Sequence, residues 1–347
     1  MSVLFLTFLL LPGCGKGSSE ALSAGSVNLL SMLPENSTGV VFINFKDLSK
    51  LEFFDKMIKE KKSEKTSGLF YDYQDFVNKT GIDPQKDVFA MVLGIIGDLN
   101  PGPPNAIAVV NLNYNKDKIL NLMNEQKLTL SEEIYKGITI YTFKEIKENG
   151  VEEVNAFAFI NDNIATFAKP DGVKQVIDLS KNEGKSIMAN AALKPYIEKF
   201  SGLTSFVFDL PGDFKKIHDL GMSKIDLTKA EVVLGNFNFK DNAYIGEISL
   251  ICHNKEGNEQ LVNTLNGFKG MAALAGEEAM ALVNKITITA TPEKVTLSFN
   301  IPTELLEKLK KKMDEKMKAT TEPIQPAQPT QPSQSSQTSE QTPLTTE

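Results

Sequence analysis

Apolar positions in this chain switch between two periods from about residue 29 to residue 318. Stretches that alternate or run β-branched and aromatic predict strands. These are Gly39–Phe45, Asp87–Ile96, Ala106–Asn113, 128–135, 138–144, 153–160, 163–168, Leu203–Leu210, Val232–Phe239, Ala243–His253, Lys285–Ala290 and Val295–Asn300. Apolar residues spaced three and four apart predict helices at 50–62, 69–79, 116–125, 171–180, 191–200, 213–220, 258–283 and from Pro302 to about 318. Ser49-Lys50-Leu51-Glu52 reads as a capping box that opens the first of these, and Gly267, Gly270 and Gly276 as breaks in the long one. Tyr135-Lys136-Gly137, Asn161-Asp162-Asn163 and Lys240-Asp241-Asn242 supply turn residues between adjacent strands.

Strands grouped as hairpins, with helices between the groups, predict an α+β fold: mainly antiparallel sheets packed on helices. The order hairpin, helix, hairpin, helix runs over 87–180 and again over 230–318, which points to two similar halves. The expected division is an N-terminal α+β region at 29–225 and a C-terminal α+β region at 226–318. Alternation places Phe42, Val109, Phe157, Phe159, Ile248 and Leu297 toward the core.

Both ends depart from this pattern. Residues 319–347 are rich in Pro, Gln, Ser and Thr with almost no large apolar side chain, so they read as a disordered tail. At the other end, Val3–Leu11 is a dense apolar run of nine residues, too short to span a bilayer. It closes in Leu11-Pro12-Gly13-Cys14, which resembles the lipobox of bacterial lipoproteins. Pro12 stands where that pattern usually has Ala or Ser. The resemblance implies a signal peptide at 1–13, cleavage before Cys14, and lipid on the Cys14 thiol as a membrane anchor. Residues 14–28 then form a tether. Leu33-Pro34-Glu35-Asn36 before a strand, Asp47-Leu48, Gly81-Ile82-Asp83-Pro84, Tyr135-Lys136-Gly137-Ile138 and Phe299-Asn300-Ile301-Pro302 resemble motifs in a family of bacterial envelope proteins of unknown function. These motifs carry no chemistry, so the resemblance transfers no functional residue.

Composition narrows the function classes. The net charge of −7 argues against nucleic acid, which requires a basic face. All 37 basic residues are lysine; without arginine, bidentate recognition of phosphate or carboxylate loses its usual donor. The two cysteines are Cys14 and Cys252, so lipidation of the first leaves Cys252 a lone thiol, expected to be buried in a strand.

Candidate chemistry is sparse. Gly184-Lys185-Ser186 looks like the end of a phosphate-binding loop, but Leu179 occupies the place of its first glycine. His218-Asp219 are neighbours on a helix and point apart; Cys252 and His253 alternate along a strand. Asp72 with Asp75 and Glu277 with Glu278 read as solvated helix faces. Met271–Ala275 and Ala279–Val283 read as buried helix packed closely on a sheet, and Leu305, Leu306, Leu309, Met313 and Met317 as an apolar helical stripe. No catalytic, cofactor-binding or metal-ligating set emerges. The reading is a lipid-anchored cell-envelope protein, a non-enzymatic binding or scaffold module for a protein or lipid ligand. A hydrolase built on carboxylates is the alternative.

Overall fold

A computed structural model describes residues 24–312, apart from 53, 55–72, 98–104, 127, 147–149, 211–229, 253–254, 274–275 and 310. The signal peptide, Cys14, most of the tether, His218, His253 and the tail therefore lie outside the described residues.

Among the described residues twelve strands form one sheet, and every neighbouring pair is antiparallel. They are β1 (Ser37–Ile43), β2 (Val88–Ile96), β3 (Asn105–Leu112), β4 (Ser131–Tyr135), β5 (Ile138–Ile146), β6 (Glu152–Asn161), β7 (Ile164–Ala168), β8 (Thr204–Asp209), β9 (Val232–Lys240), β10 (Ala243–Ile251), β11 (Ile286–Ala290) and β12 (Lys294–Pro302). The spatial order is β11-β12-β10-β9-β8-β1-β2-β3-β7-β6-β5-β4. The helices are α1 (Ala24–Leu30), α2 (Phe45–Leu48), α3 (Tyr73–Thr80), α4 (Lys116–Glu125), α5 (Pro170–Ser180), α6 (Lys194–Ile197), α7 (Lys255–Ala273) and α8 (Glu277–Val283), followed by a C-terminal helix over 303–309. The fold is α+β, as the grouping of hairpins and helices predicts.

The repeated order has a topological counterpart. The hairpin β2–β3 is followed by α4 and a run of strands whose last member, β7, pairs with β3. The hairpin β9–β10 is followed by α7 and α8 and a hairpin whose last strand, β12, pairs with β10. The first unit differs by the extra pair β4–β5. The sheet itself runs unbroken across residue 225, through the β8–β9 pairing.

Alternation assigns each strand residue to one of two faces. One face is lined by Val40 and Phe42 of β1, Val92, Ile107 and Val109, Ala156 and Ala158, and Val207; it is covered by Leu29, Leu30 and Leu33 and by Val173, Val176 and Ile177 of α5. The α5 residues fall at i, i+3 and i+4, and each is fully buried. Burying one such side chain contributes about 1.5–3 kcal/mol. Pro170 starts this helix with Asp171 in its first turn, where proline and negative charge are both favoured. Asn182 ends it at φ 60°, and the Glu183 and Asn182 N–H groups donate to the carbonyls of Asp178 and Leu179 at 2.9 and 3.0 Å.

The opposite face has two separate covers. Val41, Ile43, Met91, Leu93 and Phe206 pack under Leu48 and Phe54. Leu250 and Val295 pack with Cys252 and with Leu261 of α7.

Several local expectations are corrected. A four-residue helix, Phe45–Leu48, precedes the one expected from 50: Asn44 caps it by accepting from the Asp47 N–H at 3.2 Å, and Ser49 is its C-cap. Of the helix expected at 50–62, Glu52 and Phe54 are helical and most of the remainder lies outside the described residues. Gly267 and Gly270 lie within α7, which is described to Ala273, and Gly276, at φ +121°, precedes α8. Pro302 closes β12, and the last helix starts at the next residue, Thr303, one position after the expected start. In the segments read as buried close packing, Met271 and Met280 are exposed and Ala279, Ala281, Leu282 and Val283 are half-buried, while the side chains of 272–275 lie outside the described residues. The apolar residues by which α7 joins the core, Leu261, Val262 and Leu265, all precede its glycines. Among the six expected core residues, Phe42 and Val109 are fully buried, whereas Phe157, Phe159, Ile248 and Leu297 are half-buried.

Candidate functional site

The half-buried phenylalanines point to the feature that sequence reading missed. On β6, Ala156-Phe157-Ala158-Phe159 alternates small with aromatic. The alanines join the core under α5, so the phenylalanines must lie on the other face. Neighbouring strands add Tyr141 and Phe143 from β5 and Phe167 from β7. Tyr141 and Phe167 lie directly across from Phe157.

The rings form a continuous strip. Tyr141 stacks on Phe157 at 5.1 Å, Phe157 meets Phe159 edge-on at 5.8 Å, and Phe143 lies 6.3 Å from Phe157 and 6.2 Å from Phe167. Tyr114, between β3 and α4, stacks on Phe159 at 4.8 Å. Its hydroxyl donates to the Asn161 carbonyl, and burial, with the Asp162 carboxylate nearby, raises its pKa. The Lys116 ammonium stands 5.6 Å from the Tyr141 ring and 5.9 Å from Phe159, within cation–π range. Exposure grades along the strip: Tyr141 is buried at 3%, Phe143, Phe157 and Phe159 are half-buried, and Phe167 is 38% exposed.

A polar group closes the other end. Asn155, itself buried, donates to Glu145 Oε2 at 3.1 Å and accepts from Lys169 Nζ at 3.3 Å, while Lys169 pairs with Glu153 at 3.1 Å. The strip is thus an aromatic centre bordered at one end by lysine, carboxylate and amide groups. The signal was present in sequence as small-aromatic alternation with both faces apolar.

The other candidate residues have structural roles or lie elsewhere. Gly184-Lys185-Ser186 clamps the entry to β1: the Lys185 carbonyl accepts from the Glu35 N–H at 3.0 Å, Ser186 bridges to Pro34, and the Ser186 hydroxyl caps the short turn at Ile187–Ala189. Cys252 is fully buried, and burial together with Glu231 raises its thiol pKa, which disfavours the nucleophilic thiolate. Asp75 pairs with Lys79 at 2.9 Å, and Glu278 pairs with Lys312. Leu305, Leu306 and Leu309 are half-buried; Met313 and Met317 lie outside the described residues, as do Asp72, Asp219 and both histidines. Among the described residues, no group of three or more His, Cys, Asp and Glu could hold a metal ion, and no helix is long and apolar enough to cross a membrane.

No protein-family model matches the chain. A search of curated proteins finds no significant relative. Three solved structures of a protein designated TP0453 are similar in fold, each at 10% sequence identity. Crystal form III has a TM-score of 0.49 over 81% of this chain and 97% of that one. Form I scores 0.45 over 80% and 94%, and form IV scores 0.46 over 84% and 96%.

Proposed function

We propose that the chain is a lipid-anchored protein of a bacterial-type cell envelope, cleaved before Cys14, whose globular part binds a protein partner on the aromatic strip of β5, β6 and β7. The anchor rests on the apolar leader that closes in Leu11-Pro12-Gly13-Cys14. The binding reading rests on one observation: Phe143, Phe157 and Phe167 line a sheet face, half-buried to exposed, with a polar rim at one end. A continuous sheet face suits a protein surface better than a lipid chain, which is normally enclosed in a concave pocket. Anchoring would hold this surface near the membrane and raise its effective concentration for partners there.

Two experiments test the proposal. Cys14→Ser should move the protein out of the membrane fraction and abolish labelling by a fatty-acid analogue; retained labelling would overturn the anchor. Cross-linking in envelope extracts, from a photoreactive residue placed at Phe167, should capture a discrete partner that Phe143→Asp removes. Capture of phospholipid alone would replace the protein partner with a lipid. Turnover of a hydrolase substrate, lost on Glu145→Gln with the fold intact, would favour the enzymatic alternative.

A further inference from the structure

Among the described residues the sheet ends at two edge strands, β4 and β11, and they are built differently. At β4, Glu132 and Glu133 are exposed beside Ser131. Charges so placed repel an incoming strand, a common protection of sheet edges. At the other edge, β11 reads Ile286-Thr287-Ile288-Thr289-Ala290. It has no charge and no proline, and its pairing with β12 has no bulge.

The register fixes which backbone groups face outward. The Asn300 N–H donates to the Lys285 carbonyl at 3.2 Å, and the Thr291 N–H to the Lys294 carbonyl at 2.8 Å. Antiparallel alternation then turns the backbone groups of Thr287 and Thr289 toward β12 and those of Ile286, Ile288 and Ala290 away from it. Lys269 Nζ from α7 donates to the outward Ile286 carbonyl at 2.7 Å. Among the described residues, no hydrogen bond reaches the outward groups of Ile288 and Ala290.

We infer that β11 pairs with β11 of a second copy of this chain, antiparallel about a two-fold axis at Ile288. The choice of a second copy follows from self-complementarity. An axis at an outward-facing residue sets Ile288 against its own counterpart and Ile286 against Ala290 of the partner subunit. Every outward N–H then meets an outward carbonyl. The Ile286 carbonyl has two lone pairs, so it keeps Lys269 while accepting a second bond. The same register puts Thr287 opposite Thr289 of the partner subunit at the closely spaced, non-hydrogen-bonded positions, where threonine pairs are favourable. Both threonines are exposed in the single chain, and no like charges meet between residues 286 and 290. A self-complementary patch of this kind generates a closed two-fold dimer and not an open fibre. This inference is independent of the aromatic strip, which lies toward the opposite end of the sheet.

The test is sedimentation velocity of the full chain carrying Cys14→Ser, so that lipid cannot drive association. The expected result is a concentration-dependent monomer–dimer equilibrium. Thr287→Glu with Thr289→Glu sets like charges at both symmetric positions and should weaken dimerisation about tenfold or more. Thr287→Glu with Thr289→Lys sets opposite charges at the same positions and should restore it. The amides of Ile288 and Ala290 should exchange more slowly as concentration rises. A chain that stays monomeric up to several hundred micromolar would overturn the inference. So would a dimer that the double-glutamate variant leaves unchanged while circular dichroism shows the fold intact.

Discussion

Phe42 and Phe167 lie on opposite faces of one sheet, and truncating each to alanine separates core from surface. Phe42, on the central strand β1, is 1% exposed and packs in the cluster formed by α1, α5 and the sheet. Removing a ring from such a site loses its transfer free energy and leaves a cavity that rigid neighbours cannot fill, at about 3–5 kcal/mol. Phe167 is 38% exposed, with Phe143 at 6.2 Å. It forfeits part of a burial worth about 1.5–3 kcal/mol and one aromatic contact of roughly 0.5–1.5 kcal/mol, and opens no closed cavity. A cost of about 1–2 kcal/mol follows for Phe167→Ala, below the about 3–5 kcal/mol of Phe42→Ala. At about 2–4 °C per kcal/mol for a domain of this class, thermal melting by circular dichroism should fall by roughly 6–20 °C for Phe42→Ala and 2–8 °C for Phe167→Ala. Equal losses would show that the aromatic strip is ordinary core, and the binding surface proposed for it would fall.

Two further outcomes follow from local geometry and charge. Gly235 lies opposite Phe206, and a Cβ there would stand 2.6 Å from the Phe206 ring and 2.9 Å from the Glu247 carbonyl, so Gly235→Ala should lower stability by about 1–3 kcal/mol; an unchanged urea midpoint would refute the close approach. Burial, and secondarily Glu307, push the Tyr244 hydroxyl up to about 12, so its neutral form is favoured in the folded state. Its contribution is therefore complete below the unfolded pKa of about 10 and is lost as pH rises from there through 12. Tyr244→Phe should flatten that alkaline loss in pH-dependent urea unfolding; an identical slope in both proteins would count against it.

The strand order was not legible in the sequence, although each of the twelve strands was. Turn residues at Tyr135-Lys136-Gly137 and Lys240-Asp241-Asn242 mark hairpins because their backbone must enter the left-handed region; Lys136, Asp241 and Asn242 have φ of 48°, 52° and 55°. Such signals act between neighbours in the chain. The pairings of β1 with β8 and of β3 with β7 join distant segments, and no local pattern encodes them. The short helix at Phe45–Leu48 shows a second limit: its cap, Asn44, directly follows Ile43, where β1 ends, and that boundary is fixed by pairing with β2 and β8.

The aromatic strip shows why a site can be visible and still be misread. Alternation on β6 establishes that Phe157 and Phe159 share a face and that Ala156 and Ala158 share the other. It does not say which face is covered, because aromatic and alanine positions are both compatible with burial. Coverage is decided by α5, which packs on the alanine face through Val173, Val176 and Ile177. Small side chains let that helix come close, and the aromatic rings are left on the face it does not occupy. On that face the rings bury one another, Tyr141 against Phe157 and Tyr114 against Phe159. A residue chosen for its hydrophobicity alone would be expected in the core. What separates core from surface here is the packing partner, a property of Val173, Val176 and Ile177 in the following helix and not of the strand itself.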